Sequence, residues 1–481
     1  MKLYEPISVL FSPHPPILLP EVGAGQERIA MQTLKGMERI ASIVSEVKPD
    51  TIVYITPHGN SFSNGTCFTH QGLLKGHLGA FGHPSIQFEK NVDLELTEVI
   101  GNLLDEADIV QVQMDSALAK HYKISNSIDH GVLVPMYFID QKYDQYQIVQ
   151  IAPGSTSLLE QYKIGMAVRA AANSLNRKIL IVASGDLSHC LKEVGSYTYH
   201  PMGRVFDEKI VDTIEHFQVA DLIAMSPQIF EPAGQCGLRS FCMAFGALDG
   251  YNAKGEVFSY EGPFGVGYLT GCLTQKEPSA SALEDIRQRM VRMQTQKLAA
   301  EDEYIQLARK TIENYIHKSK RLQISEIKEH FSQAFLEVTE NKKSGIFVSL
   351  HKAGALRGCI GTILPVKDNI LNEIIDNAIS ACSSDPRFDP VEEGELSELD
   401  IKVDVLSELE QISSQNELDV QKYGIVVEQG NKRGLLLPNL EGVDSIEQQI
   451  EIAMKKAGIK NNQNLKMYRF EVIRHEIPMN Y

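Results

Sequence analysis

Three histidines stand in the turns that follow strand-like runs. Residues 7–11 are mostly apolar and lead into Ser12, Pro13, His14 and Pro15; residues 51–56 stop at Pro57 and His58; residues 178–183 lead into Ser184, Gly185, Asp186 and then His189. Neutral imidazole is the commonest metal ligand and, near neutral pH, an effective general base. The proline before His14 and before His58 fixes the local backbone and keeps the preceding residue extended. Such a rigid turn is what a ligand set requires. Any one of these histidines reads equally well as an ordinary turn residue. Three at successive strand ends, if the strands lie parallel, converge on one crevice. Two histidines plus one carboxylate there would leave open faces on iron for oxygen and substrate. A fourth element is Asp129, His130 and Gly131, with Pro135 four residues on. Asp129 can orient an imidazole and fix its tautomer, and His130 can polarise a bound substrate or oxygen. The same residues would also read as a helix-to-strand junction with a polar cap.

The elements that must hold these turns alternate. Residues 26–47 and 155–175 have helical character, residues 147–152 form a strand ended by Pro153 and Gly154, and residues 234–248 read as a helix rich in small residues. Alternating strands and helices predict an α/β sheet covered by helices, with ligands beyond the carboxyl ends of the strands. Residues 62–88 are glycine-rich, contain His70, His77 and His83, and are expected to be a lid or pocket loop. Ten of the fourteen histidines precede residue 275. After the strand-like stretch 260–273 the texture changes, and residues 282–320 are almost wholly helix formers without glycine or proline. The expected division is therefore 1–275, a linking helical segment 276–298, and 299–481.

The remainder reads as α+β. Strands are expected at 346–350, 401–406, 425–428 and 435–437, and helices at 369–382 and 445–457. Two clusters stand out: Leu356 to Thr362, where glycines suggest a turn with close backbone approach, and Ser384 to Pro390, where two prolines bracket Arg387 and Phe388. Arg357, Arg387 and Cys359 either line a small polar pocket or belong to structural turns with Arg–Asp pairs. Cys359 has no neighbouring base in sequence and is not read as a nucleophile.

Composition excludes several classes. With 46 Lys and Arg against 62 Asp and Glu, the net charge is −16, a poor counterion for nucleic acid or anionic lipid. Seven cysteines without a C-x-x-C pair argue against a disulfide framework and for a reducing, cytoplasmic setting. No apolar run is long enough to span a bilayer, and the first residues lack a signal-peptide pattern. P-loop, H-E-x-x-H and G-x-S-x-G motifs are absent, and Gly265, Gly267 and Gly271 make a poor dinucleotide fingerprint.

Taken in order, the His14, His58, Asp129–His130–Gly131 and Ser184–His189 motifs resemble the class III extradiol dioxygenase (LigB-like) superfamily, which includes the MEMO-like proteins. The resemblance covers residues 1–275 and implies a Rossmann-like domain with a non-haem Fe(II) site. It implies that His14 and His58 are ligands, that His189 is the catalytic acid/base, and that His130 lies near bound oxygen. Family members supply a late glutamate as third ligand. The matching stretch here, Glu231 to Ser240, looks like the MEMO branch, where a cysteine replaces it. Cys236 is then the third-ligand candidate, with Glu231 the alternative and Gln235 behind it. A thiolate softens the site and admits Cu(I) or Zn beside Fe(II), and a helix N-terminus would lower the Cys236 pKa. The two later clusters resemble the AMMECR1 family, which implies a smaller α+β domain without naming a reaction. The fusion resembles AmmeMemoRadiSam system proteins, which implies a separate radical SAM partner, since no C-x3-C-x2-C motif is present here. Three readings follow. The first is a dioxygenase acting on a small aromatic substrate with O2. The second is a metal-binding component of a radical SAM modification system, and the third a zinc hydrolase on the same ligands. The oligomeric state is not encoded in any of these motifs.

Overall fold

Apolar and β-branched runs bounded by proline, glycine or polar turns become the strands of the first part of the chain. In order they are β1 (Ser8–Ser12), β2 (Thr51–Ile55), β3 (Thr66–Thr69), β4 (Leu73–Leu78), β5 (His83–Asn91), β6 (Gln111–Met114), β7 (Gln147–Ala152), β8 (Ile179–Ser184), β9 (Tyr251–Glu261) and β10 (Tyr268–Pro278). The structure, a computed structural model, describes residues 7–193, 197–352, 355–440, 442–462 and 464–477. The chain divides into two compact units, Met1–Met293 and Gln294–Tyr481.

Eight strands of the first unit form one sheet in the order β6-β3-β7-β2-β8-β1-β10-β9. Its centre, β7, β2, β8 and β1, is parallel. Every residue of β2 and β8 is buried, as expected for strands covered on both faces. Alternation sends Val9, Phe11, Val53 and Ile181 into one core with the helices Leu94–Glu106, Leu158–Leu175 and Leu238–Gly246. It sends Leu10, Ile52, Tyr54 and Leu180 into the other, beneath the helices Met31–Val47 and His130–Asp140. Fully burying each such side chain contributes roughly 1.5–3 kcal/mol. The result is the expected α/β sheet, and β1, β8 and β2 are adjacent and parallel.

Local departures have physical causes. Residues 62–88 are not a loop: β3 joins the main sheet, and β4 pairs with β5 across the turn Gly79–Phe81. The buried alternation of Leu74, Gly76 and Leu78 was hidden by the glycine, whose added Cβ would lie 2.8 Å from the Ile128 carbonyl oxygen. Residues 260–273 hold the end of β9, a turn and the start of β10. The helix expected over 234–248 starts only at Leu238, which leaves Cys236 in the preceding turn. The helix-forming stretch 282–320 is two helices, Leu283–Ala299 and Glu303–Lys318. Asp302 separates them, its carboxylate accepting the Tyr304 and Ile305 N–H groups at 3.0 and 3.1 Å. That N-cap bond outweighs the helical propensity of its neighbours.

The second unit is α+β. Its strands are β11 (Ile346–Lys352), β12 (Ala355–Gly361), β13 (Leu399–Leu406), β14 (Glu410–Ile412), β15 (Gly424–Gln429), β16 (Lys432–Leu436), β17 (Lys466–Phe470) and β18 (Val472–His475). They form two sheets, β12-β11-β13-β18 and β14-β17-β15-β16. The helices Glu303–Lys318 and Ile370–Ser383 pack on the first, and Ile446–Ala457 on the second. The cluster 356–362 lies largely in strand β12 and is not a turn. Its glycines do mark close approach, since a Cβ on Gly358 would lie 2.3 Å from the Ala381 carbonyl oxygen.

Candidate metal centre

The turns after β1 and β2 bring two imidazoles edge to face. His14, 3% exposed, and His58 have ring centroids 4.6 Å apart and Nε2 atoms 2.9 Å apart. Cys236 Sγ lies 3.6 Å from His14 Nε2. One donor atom from each of these three residues lies within 4.8 Å of the other two. Cys236 reaches the strand ends because two backbones touch there. A Cβ on Gly185, in the turn after β8, would sit 2.1 Å from Gly237 Cα.

Asp186 ties these turns together. Its Oδ1 accepts the His14 N–H at 3.0 Å, and its own N–H donates to Cys236 Sγ at 3.2 Å. Its carbonyl accepts the Cys236 and Gly237 N–H groups at 3.4 and 3.1 Å. Ser184 Oγ is 2.9 Å from His14 Nδ1 and donates to the Gly131 carbonyl at 2.5 Å. The sequence alone gives neither residue a role; the signal is the Ser184–His189 turn, in which the terminal histidine carries the obvious chemistry.

His130 opens its helix, which Asp129 caps by accepting the Gly131 N–H at 2.7 Å. The His130 ring lies 4.1 Å from that of His58 and 5.6 Å from that of Phe81, at the tip of the β4–β5 pair. His189 is anchored by its N–H on the Ala233 carbonyl and lies against Tyr197, ring centroids 4.9 Å apart. Among the described residues, the buried His189 Nε2 and Asp129 Oδ2 atoms have no hydrogen-bond partner. Glu231 is exposed and outside the group of three, with Arg239 as its charged neighbour. Gln235 uses its side-chain oxygen to accept the Leu238 N–H at 2.8 Å.

Burial holds the imidazoles neutral. His14 falls well below the usual histidine range through desolvation, then through His58 and His189. Desolvation, then His58 and His14, pushes His130 down to about 3, and burial also lowers His58 and His189. Burial lifts Asp186 to about 6 and Asp129 to about 6. Cys236 departs from expectation. Burial and the Asp186 carboxylate raise its thiol pKa, and the nearby helix end does not reverse this.

The donor set fits one metal ion. Nitrogen and sulfur ligands bind at about 2.0–2.3 Å, so ligands sharing an ion lie about 3–4 Å apart, close to the 2.9 and 3.6 Å spacings here. Neutral imidazoles offer lone pairs, and an ion would draw the proton from Cys236. In the second unit, Cys359, Arg357 and Arg387 do lie near one another, with both arginines in ion pairs. Arg357 Nη2 binds Glu395 at 2.8 Å, and Arg387 Nη2 binds Asp385 at 2.6 Å.

Comparison with known proteins bears on both units. The family model described as the catalytic LigB subunit of aromatic ring-opening dioxygenase matches residues 8–271, and the AMMECR1 model matches residues 305–475. A Clostridium acetobutylicum protein is 40% identical over 464 residues, covering 96% of this chain and 98% of its own. A Thermotoga maritima protein is 44% identical over 181 residues, 37% of this chain and 100% of its own. An uncharacterised Pyrococcus horikoshii protein of known structure covers 37% of this chain and 90% of its own, at 28% identity and a TM-score of 0.32. An uncharacterised Escherichia coli K12 structure covers 55% and 98%, at 16% identity and a TM-score of 0.38. Among the described residues, no helix is long and apolar enough to cross a membrane.

Proposed function

Because the chain belongs to the family in which a LigB-type domain precedes an AMMECR1 domain, we propose that its first unit is a metal-dependent oxidoreductase using O2 on a small aromatic substrate. The observation that carries this reading is the convergence of His14, His58 and Cys236 at the carboxyl ends of parallel strands. These three residues would hold Fe(II), and the thiolate would also accept Cu or Zn. Bound there, the metal supplies an electrophilic centre at which substrate and O2 meet. His189, neutral and with an Nε2 that has no partner among the described residues, takes the proton of a substrate hydroxyl at that nitrogen. His130, neutral beside His58, polarises the bound molecule. Phe81 and Tyr197 stand against these two imidazoles.

The replacement of a carboxylate donor by Cys236 favours a second reading. The unit would then be a metal-binding, non-dioxygenase component acting with a separate radical SAM protein, and the AMMECR1 domain would recognise the substrate or that partner. Metal analysis of anaerobically purified protein, combined with catechol-dependent oxygen uptake, separates the two. Metal lost on Cys236→Ala and kept on Glu231→Ala supports the ligand set, and the opposite pattern overturns it. Oxygen uptake with catechols supports the first reading. Full metal occupancy without uptake, together with capture of an iron–sulfur protein, supports the second.

A further inference from the structure

We infer that Ser184 is a positioning residue that fixes the tautomer of His14, and that Pro135 makes it able to do so. The inference rests on the metal-centre reading above. In an α-helix the carbonyl of residue i accepts the N–H of residue i+4. For Gly131 that donor position is Pro135, inside the helix His130–Asp140, and proline has no N–H. The Gly131 carbonyl is therefore left open on the side facing β8, and the Ser184 hydroxyl fills it at 2.5 Å.

A serine hydroxyl has one proton. A carbonyl can only accept, so that proton points at Gly131. The remaining contact of Ser184 Oγ, 2.9 Å from His14 Nδ1, then requires the imidazole to be the donor. His14 carries its hydrogen on Nδ1 and presents a bare Nε2 lone pair toward His58 and Cys236. A metal ligand of this kind commonly has its second ring nitrogen fixed by such an outer contact, and losing the contact typically weakens metal binding by 10–100-fold.

The same residue, through its N–H, connects the other histidine turn. Gly131 N–H donates to Asp129 Oδ1 at 2.7 Å, and Thr56 Oγ1 donates to that oxygen at 2.7 Å while accepting the His58 N–H at 3.3 Å. One chain of hydrogen bonds thus runs from the His58 backbone to the His14 ring. It leaves no room for a side chain at residue 131, where a Cβ would lie 2.4 Å from Thr56 Oγ1.

The test is long-range proton–nitrogen NMR on metal-free, histidine-labelled protein, with Zn2+ affinity measured by competition with a chromophoric chelator. Wild-type His14 is expected to be protonated on Nδ1. Ser184→Ala should give mixed tautomers and a 10–100-fold loss of Zn2+ affinity. A wild-type His14 protonated on Nε2 overturns the inference even if the variant fails to fold. So does a folded Ser184→Ala that keeps both tautomer and affinity. A wild type with the Nδ1–H tautomer that binds no Zn2+ overturns the metal-centre reading while supporting the hydrogen-bond assignment.

Discussion

Cys236 and Cys359 each sit beside a glycine whose backbone touches another segment, yet their surroundings are opposite. Around Cys236 stand neutral imidazoles and Asp186, and among the described residues His189 Nε2 has no partner. Around Cys359 the groups are matched. Its N–H donates to Asp385 Oδ2 at 2.8 Å, its carbonyl accepts from Arg387 Nη2 at 3.2 Å, and its sulfur accepts from Ser349 Oγ at 3.2 Å. Strand β12 is an edge of its sheet, and Asp385 with Arg387 satisfies the peptide that the edge would otherwise expose. Two neutral imidazoles and a thiol gathered at one point suit a cation. Charges already paired call for nothing further. The difference separates a centre suited to chemistry from a cluster suited to holding a fold.

The sharpest way to break this contrast is to remove one member of each cluster. His14→Ala should lower bound metal at least 100-fold, while Cys359→Ser leaves it unchanged, as measured by elemental analysis of the two purified chains. Equal losses would erase the distinction. Gly185→Ala should come next. Its Cβ must push Gly237 away, which weakens metal binding about tenfold and costs roughly 1–3 kcal/mol by overpacking, read by competition titration and urea unfolding. The smallest effect concerns acid. Arg387 holds the Asp385 carboxyl below its usual range, and Arg357 does the same for Glu395. A carboxyl depressed by folding adds stability above its unfolded pKa, about 4, that is lost as pH falls through the folded value. Arg387→Ala should therefore flatten the loss of second-unit stability below about pH 4, followed by circular dichroism across an acid titration. An unchanged acid profile would show the pair to be inert.

The sequence carried much of this because its strongest signals are local. A buried strand, a proline and a histidine occupy consecutive positions at His14 and His58, and the parallel neighbours β1, β8 and β2 convert that into proximity. Cys236 was legible only through family resemblance, since no local pattern places residue 236 beside residue 14. The roles of Asp186 and Ser184 depend on hydrogen bonds spanning 172 and 170 residues, and no local pattern encodes them. Asp302 is hidden in the sequence for a different reason: surrounded by strong helix formers, a single capping carboxylate does not disturb the average propensity. The β4–β5 pair was missed because Gly76 removed one member of an alternating apolar row.

The closeness of Gly185 and Gly237 bears on the order in which this centre comes into being. Its donors stand at positions 14, 58 and 236, and the sulfur meets the imidazole across 222 residues. Contacts of such separation form late, after local elements have closed. A growing chain therefore displays a pair of histidines long before it can offer the thiol, and the full donor set comes together only when the last backbone contact is made. An ion that binds the finished fold at a hundred times its dissociation constant adds about 2.7 kcal/mol to that state alone.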